Sequence, residues 1–210
     1  MTERPERHVR FDRASARPAA FRGPFAESWR YLCTAYLKLA GWKMAGDWPR
    51  DIEKMTLVAA PHTSNWDGIN MLAAAGYYRI PLRWMGKKEL TSGPFGAFVK
   101  WLGCVPVDRA GSGDLVKQMA EAFAAAKTMT LAVSPEGTRA ATRGWKSGFY
   151  YIALAAGVPI IMSVLDYGAK TITLAGALTP SGDYEADLKL IKSHYETARG
   201  LREENFSLDA

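Results

Sequence analysis

A chain of 210 residues, 48% hydrophobic and 23% charged, has the composition of a globular protein, enough length for one packed domain and too little to expect two. Its formal charge of +6 and pI near 9.3 suit nucleic acid, a negatively charged membrane surface, or a phosphorylated or coenzyme A-bearing substrate, and do not choose among them. Two cysteines in unrelated contexts, Cys33 and Cys104, argue against a disulfide framework or a zinc site, and suggest a reducing compartment with both thiols in the core.

The first segment, residues 1–24, is Arg-rich but carries acids and has no continuous apolar stretch. It is neither a signal peptide nor a membrane span, and is expected to be a flexible basic arm, with His8 solvated. The remainder, 25–210, is expected to form a single domain. "AESWRYLCTAYLKLAGW" opens it as a helix, with Trp29, Leu32, Cys33, Tyr36, Leu37, Leu39 and Ala40 on one stripe and Gly41 as its C-terminal cap. Such an aromatic-rich, basic helix suits either the core or a membrane interface.

"WKMAG" and "MTLVAAP" read as strands, the second apolar enough to be central in a sheet. "SNWDGINMLAAAGYY" is a helix, "IPLRWMG" a strand, "GPFGAFVKWLG" a helical or loop segment and "CVPVD" a short strand. "SGDLVKQMAEAFAAAK" places Leu115, Met119, Ala122, Phe123 and Ala126 on one helical face, capped by Ser112. "TMTLAVSPEG" is another apolar strand running into a loop. The uncharged run 147–165 is long enough to cross a bilayer, but Gly157 and Pro159 divide it into helix, turn and buried strand. "TITLAGAL" is a further strand, and "DYEADLKLIKSHYETARG" closes the chain as an amphipathic helix through Tyr184, Leu188, Ile191 and Tyr195, with His194 on its polar side. Strands alternating with helices predict an α/β layered domain with a largely parallel sheet flanked by helices.

Two loops at strand ends carry the chemistry. In "PHTSNWDG", His62 and Asp67 cannot share a regular helix face, since five residues separate them by about 140°. They meet if His62 lies on the loop and Asp67 in the first turn of a helix capped by Ser64. A neutral imidazole can then take a proton from an alcohol while the carboxylate fixes its tautomer and stabilises the imidazolium. The same Ser64 and Asp67 also make an S-x-x-D capping box, which would explain the pair without any catalysis. In "SPEGTRA", Gly137 permits close backbone approach, Arg139 offers a fork of donors suited to phosphate, and Glu136 can orient a positive or hydroxyl group. The alternative there is a turn with a surface ion pair. Cys104 as a nucleophile is a further enzymatic alternative, but no histidine is adjacent to it in sequence.

With both loops in view, the chain resembles the glycerophospholipid acyltransferases, most closely the lysophosphatidic acid (1-acyl-sn-glycerol-3-phosphate) acyltransferases. "HTSNWD" looks like that family's H-x4-D block. "GKKEL…GPFGAFVKWLGCVPVDR" is similar to its second block, "SPEGTR" to its P-E-G-T-R block and "GVPIIMSV" to its fourth. Pro61 and Ser134 depart from the residues usual before the first and third blocks.

The resemblance implies a glycerolipid acyltransferase-like fold, with His62 as general base and Asp67 orienting it. Glu136, Gly137, Thr138 and Arg139 would form the acceptor site, with Arg109, Lys87, Lys88 and Lys146 as further anion contacts. It implies transfer of a fatty acyl group from acyl-CoA or acyl carrier protein to the free hydroxyl of a lysophospholipid, with lysophosphatidic acid as the expected acceptor. Another lysolipid or a glycolipid is the alternative. No cofactor and no metal are expected beyond the thioester donor. The partners expected are the lipid acceptor, the acyl donor and an anionic membrane surface, not nucleic acid, with a cytoplasmic location peripheral to the inner face of the cell membrane. Trp29, Trp42, Trp48, Phe95, Phe98 and Trp101 are candidates for interfacial anchoring. A non-catalytic basic protein binding membrane or nucleic acid is the rival from another class. It requires that His62→Ala leave the main activity intact and that binding weaken steeply with salt.

Overall fold

The computed structural model describes residues 26–49, 51–80, 82–107 and 112–208, so the expected arm over 1–24 lies outside the described residues. Seven strands alternate with helices in the order α1 (Ala26–Leu39), β1 (Lys43–Ala45), β2 (Lys54–Ala60), α2 (Asn65–Tyr78), β3 (Leu82–Lys87), α3 (Lys88–Ser92), α4 (Gly96–Trp101) and β4 (Cys104–Val107). They continue as α5 (Ser112–Ala125), β5 (Met129–Val133), α6 (Gly148–Ala156), β6 (Ile160–Asp166), β7 (Thr171–Leu178) and α7 (Tyr184–Ser193), with a short 3-10 turn at Glu203–Asn205. The strands form one sheet in the order β1-β7-β6-β2-β5-β3-β4. Every pairing is parallel except β6 with β7. This is the α/β layered architecture with a largely parallel sheet that the alternation of elements predicts.

β2 lies at the middle of the sheet, which is why "MTLVAA" has almost no polar residues: a central parallel strand is covered on both faces. Alternate residues divide between two cores. Val58 and Ala60 pack with Leu131, Ile160, Met162, Phe149, Ile152, Phe123, Ile191 and Tyr195 beneath α5, α6 and α7. Met55 and Leu57 point the other way, against Ala75, Ile80, Leu82 and Ile161 under α2. The uncharged run 147–165 divides as expected: α6 stops at Gly157, whose φ of +63 ends the helix in the left-handed region, and β6 follows. Among the described residues no helix is long and apolar enough to cross a membrane.

Three expectations are corrected. The stripe on α1 is only partly buried: Cys33 and Leu37 are in the core, but Leu32 is 61% and Leu39 89% exposed. A helix at the outer edge of the layer, packed chiefly on α2, covers a narrower arc than its apolar sequence offers. Among the proposed interfacial aromatics, Trp42 is buried and Trp29 and Trp48 pack against core clusters, leaving Phe95, Phe98 and Trp101 exposed. The last helix stops at Ser193 rather than continuing through the closing Gly200. Beyond it Tyr195 turns inward, its ring edge-on to Trp145 and its hydroxyl donating to the Val58 carbonyl at 2.8 Å. The described Ser112 is the first residue of α5, and its side chain lies outside the described residues.

Candidate active site

Parallel pairing of neighbours brings several loops to one edge of the sheet. β2 pairs with β5 in register Val58 to Val133, so the loops that leave their carboxyl ends, His62–Asp67 and Ser134–Arg139, emerge side by side. β6 flanks β2 on the other side and delivers Tyr167 to the same edge, while β3, beyond β5, delivers Lys87 and Lys88. In open α/β sheets ligands collect outside the carboxyl ends of the strands.

In the first loop one carboxylate both completes the capping box and faces the His62 imidazole. Asp67 is 3% exposed. Its Oδ2 accepts the backbone N–H groups of Thr63 (2.6 Å) and Ser64 (2.7 Å), and its Oδ1 accepts the Ser64 hydroxyl (2.9 Å) and the Tyr167 hydroxyl (2.6 Å). Ser64 Oγ accepts from Trp66 N, completing the capping box at the start of α2. The imidazole Nδ1 of His62 lies 3.5 Å from Asp67 Oδ2, with the ring 27% exposed. Burial pushes the Asp67 carboxyl up, but hydrogen bonds from His62, Tyr167 and Ser64 outweigh burial and hold it below the usual range. The carboxylate is therefore charged and immobile. In the neutral tautomer with its proton on Nδ1, facing the carboxylate, the other ring nitrogen would carry the lone pair.

The second loop is tied to the first through Glu136. This residue is 1% exposed. Its Oε1 accepts the His62 backbone N–H at 2.9 Å and its Oε2 accepts the Ser134 hydroxyl at 2.7 Å. Burial pushes its carboxyl up, opposed by the bonds from Ser134, its own backbone and His62. Both oxygens are engaged inside the protein, so Glu136 orients the His62 backbone rather than an exposed group, and Ser134 acquires a role as its partner. Gly137 has φ +65, and a Cβ there would come 2.9 Å from Lys146 Cδ and Nζ. The exposed Lys146 side chain thus lies over the loop, anchored by its backbone N–H to the Pro135 carbonyl at 2.7 Å. Thr138 and Arg139 are exposed.

Lys87 ends β3 and Lys88 begins α3, both exposed. Strand spacing puts them about 10 Å from the β2 loop, two strands away. Lys88 also borders a cleft of about 330 Å³ with Thr91, Ser92, Lys100 and Gln118. Arg109 lies outside the described residues, two positions past the end of β4. Cys104 sits at the opposite end of β4 from these loops and is 4% exposed, with burial raising its thiol; a buried, protonated thiol there is a core residue.

Two parts of the site belong to no motif in the sequence. Tyr167 and Asn70 complete the surroundings of Asp67. The C-terminal segment crosses the two loops: the Arg202 backbone N–H donates to Thr63 Oγ1 at 3.2 Å, and Asn205 Nδ2 donates to the Arg139 carbonyl at 3.0 Å. Gly200 fits closely there, since a Cβ would come 2.7 Å from the Thr63 side chain. The position of Tyr167 at a strand's carboxyl end was the single available signal for it.

The family model described as Acyltransferase matches residues 46–165, which include both loops. The 1-acyl-sn-glycerol-3-phosphate acyltransferase of Escherichia coli is 34% identical over 144 residues, covering 65% of this chain and 58% of that protein. The enzyme of the same name from Salmonella typhimurium is 34% identical over 131 residues, covering 59% of this chain and 52% of its own length. The chain thus spans about half the length of these curated relatives. The crystal structure of the 1-acyl-sn-glycerophosphate acyltransferase PlsC from Thermotoga maritima shares the fold, with a TM-score of 0.53 and 14% identity over 83% of this chain and 81% of that one. With more than half of its residues inside the family model, and both of its chemically equipped loops within that span, the chain belongs to the acyltransferase family.

Proposed function

We propose that the protein transfers a fatty acyl group from an acyl thioester, on coenzyme A or acyl carrier protein, to the free hydroxyl of a lysophospholipid, with lysophosphatidic acid as the acceptor. The observation that carries this is the His62 imidazole, steered by the buried Asp67 carboxylate, beside a loop that presents Arg139 and Lys146. The named relatives are acyltransferases for 1-acyl-sn-glycerol-3-phosphate, which supports the choice of acceptor.

In the proposed reaction the free ring nitrogen of His62 takes the proton of the acceptor hydroxyl as its oxygen attacks the thioester carbonyl carbon. Collapse of the tetrahedral adduct breaks the C–S bond, and the imidazolium returns its proton to the departing thiolate. Asp67 stabilises the imidazolium between the two steps. Arg139 and Lys146, with Lys87 and Lys88 further along the same edge, hold the anionic groups of the acceptor, and Arg109 is proposed as a further anion contact. No cofactor enters beyond the thioester substrate.

Both substrates carry acyl chains, and the enzyme is proposed to meet them at an anionic membrane surface, on the cytoplasmic side. Phe95 is 75%, Phe98 53% and Trp101 40% exposed, with Lys88 and Lys100 nearby, and Trp101 meets Trp29 of α1 edge-on at 5.7 Å. Apolar side chains flanked by lysines suit insertion at the headgroup boundary.

The test is a donor-by-acceptor matrix on purified protein, with products identified by lipid mass spectrometry, run alongside His62→Ala. Phosphatidic acid formation that vanishes in the variant is the expected result. Turnover of a different lysolipid or glycolipid with none of lysophosphatidic acid would overturn the acceptor, and a fully active His62→Ala protein would overturn the mechanism.

A further inference from the structure

Asp67 is reached from the far side by a chain of hydrogen bonds that starts on another helix. The Tyr36 hydroxyl on α1 donates to Asn70 Oδ1 at 2.9 Å. Asn70 Nδ2 on α2 donates to the Tyr167 hydroxyl at 3.0 Å. Tyr167, just past the end of β6, donates to Asp67 Oδ1 at 2.6 Å. Asn70 is 2% exposed. Its amide fixes the direction of the chain. Its carbonyl takes the Tyr36 proton, so its NH₂ faces Tyr167, and the Tyr167 proton goes to the carboxylate, with the Ser64 hydroxyl also beside the phenol.

We infer that Tyr167 is a positioning residue for the His62–Asp67 pair, and that Asn70 and Tyr36 set its hydroxyl to donate to Asp67 Oδ1, the oxygen farther from the imidazole. Tyr167 touches no reacting atom. It acts through Asp67 by drawing off part of the carboxylate's charge. This assignment rests on the proposal that His62 is the base, and it adds a residue that lies outside the matched family span, two positions past its end.

The other titratable and charged groups around the pair come from each neighbouring element. Glu136 faces the His62 backbone from the loop after β5, and Tyr195 lies beyond Glu136. Lys170 places its ammonium 5.5 Å from the Tyr167 ring centroid, and the Arg199 carbonyl accepts from the Tyr167 backbone. None of these is altered by removing one phenolic oxygen.

The sign of the effect follows from the geometry. In Tyr167→Phe the carboxylate stays in place, because Thr63 N, Ser64 N and Ser64 Oγ still hold it. It loses one donor, its charge concentrates, and it stabilises the imidazolium more strongly. The His62 ring signals, identified among the three histidines by comparison with His62→Ala, are titrated by NMR in the purified full chain. Their midpoint in Tyr167→Phe should move to higher pH by a few tenths of a unit to about one unit. The acid limb of kcat/KM should move with it, with KM for donor and acceptor unchanged within about twofold. Asn70→Ala and Tyr36→Phe should give smaller shifts in the same direction, since each weakens Tyr167 as a donor; they carry the test if Tyr167→Phe does not fold. A midpoint that stays put or falls in the folded variants overturns the inference. The titration needs no turnover, so the two proposals can fail separately: a shifted midpoint without acyl transfer sinks the function alone, and acyl transfer with an unmoved midpoint sinks the relay alone.

Discussion

Asp67→Asn separates the charge of the carboxylate from its shape. In the native loop two backbone N–H groups converge on Oδ2, so the amide oxygen of asparagine takes that place and the imidazole keeps its tautomer. Only the charge 3.5 Å from Nδ1 is lost. At that separation an ion pair is worth about 5 kcal/mol at an effective dielectric of about 20, and about 2 kcal/mol at about 40. The ring is 27% exposed, which places the screening toward the wetter value. A loss of about 2–3 kcal/mol of transition-state stabilisation corresponds to about a 30- to 200-fold fall in kcat/KM. The new NH₂ faces the hydroxyls of Ser64 and Tyr167, which now donate to Oδ1 and must turn to accept, at a cost of about 1–3 kcal/mol in stability. The assay is release of free thiol from acyl-CoA with lysophosphatidic acid as acceptor, paired with urea unfolding of the same preparations. A folded Asp67→Asn protein within about fivefold of wild-type kcat/KM would show that the carboxylate charge is not part of the chemistry.

Glu136→Ala leaves the His62 N–H and the Ser134 hydroxyl unpartnered and should cost about 1–3 kcal/mol of stability, read from urea midpoints. Glu136→Gln keeps a carbonyl for the His62 N–H and should stay close to wild type in both stability and turnover, by the same urea and thiol-release assays. Arg139→Ala should raise KM for lysophosphatidic acid by about 10- to 100-fold, the worth of one charged hydrogen bond, with a smaller change in kcat; an unchanged acceptor KM would remove Arg139 from the anion site. Because the folded Asp67 carboxyl titrates below its unfolded value, its stabilisation is complete above about pH 4 and is lost as pH falls through the folded value. The stability gap between wild type and Asp67→Asn should therefore be widest near neutrality and close in acid, as followed by unfolding midpoints from pH 7 downward.

Much of the molecule is legible in its sequence. Apolar runs such as "MTLVAA" and "MTLAV" declare buried parallel strands because both of their faces are covered. Ser64 with Asp67 declares a helix start, and the glycine at 157 declares a stop inside an uncharged run. His62, Asp67 and the Pro135–Arg139 turn stood out because polar groups at the ends of apolar strands have few structural reasons to be there. These are local properties, set by side-chain period and by backbone groups a few residues away.

What the tertiary structure alone decided are relations across distance in the chain. The order of strands places β6 beside β2 and β5 on the other side, so Tyr167 meets Asp67 across a separation of 100 residues and Glu136 meets the His62 backbone across 74. The turn that ends α7 early sends the C-terminal segment across Thr63 and Arg139. Nor could periodicity tell which apolar residues of α1 would be covered, since Leu32 and Leu39 differ from Cys33 and Leu37 only in what lies opposite them. A hydrophobic stripe records the capacity to be buried; the neighbour that buries it is chosen by packing of the whole sheet and its two helical layers.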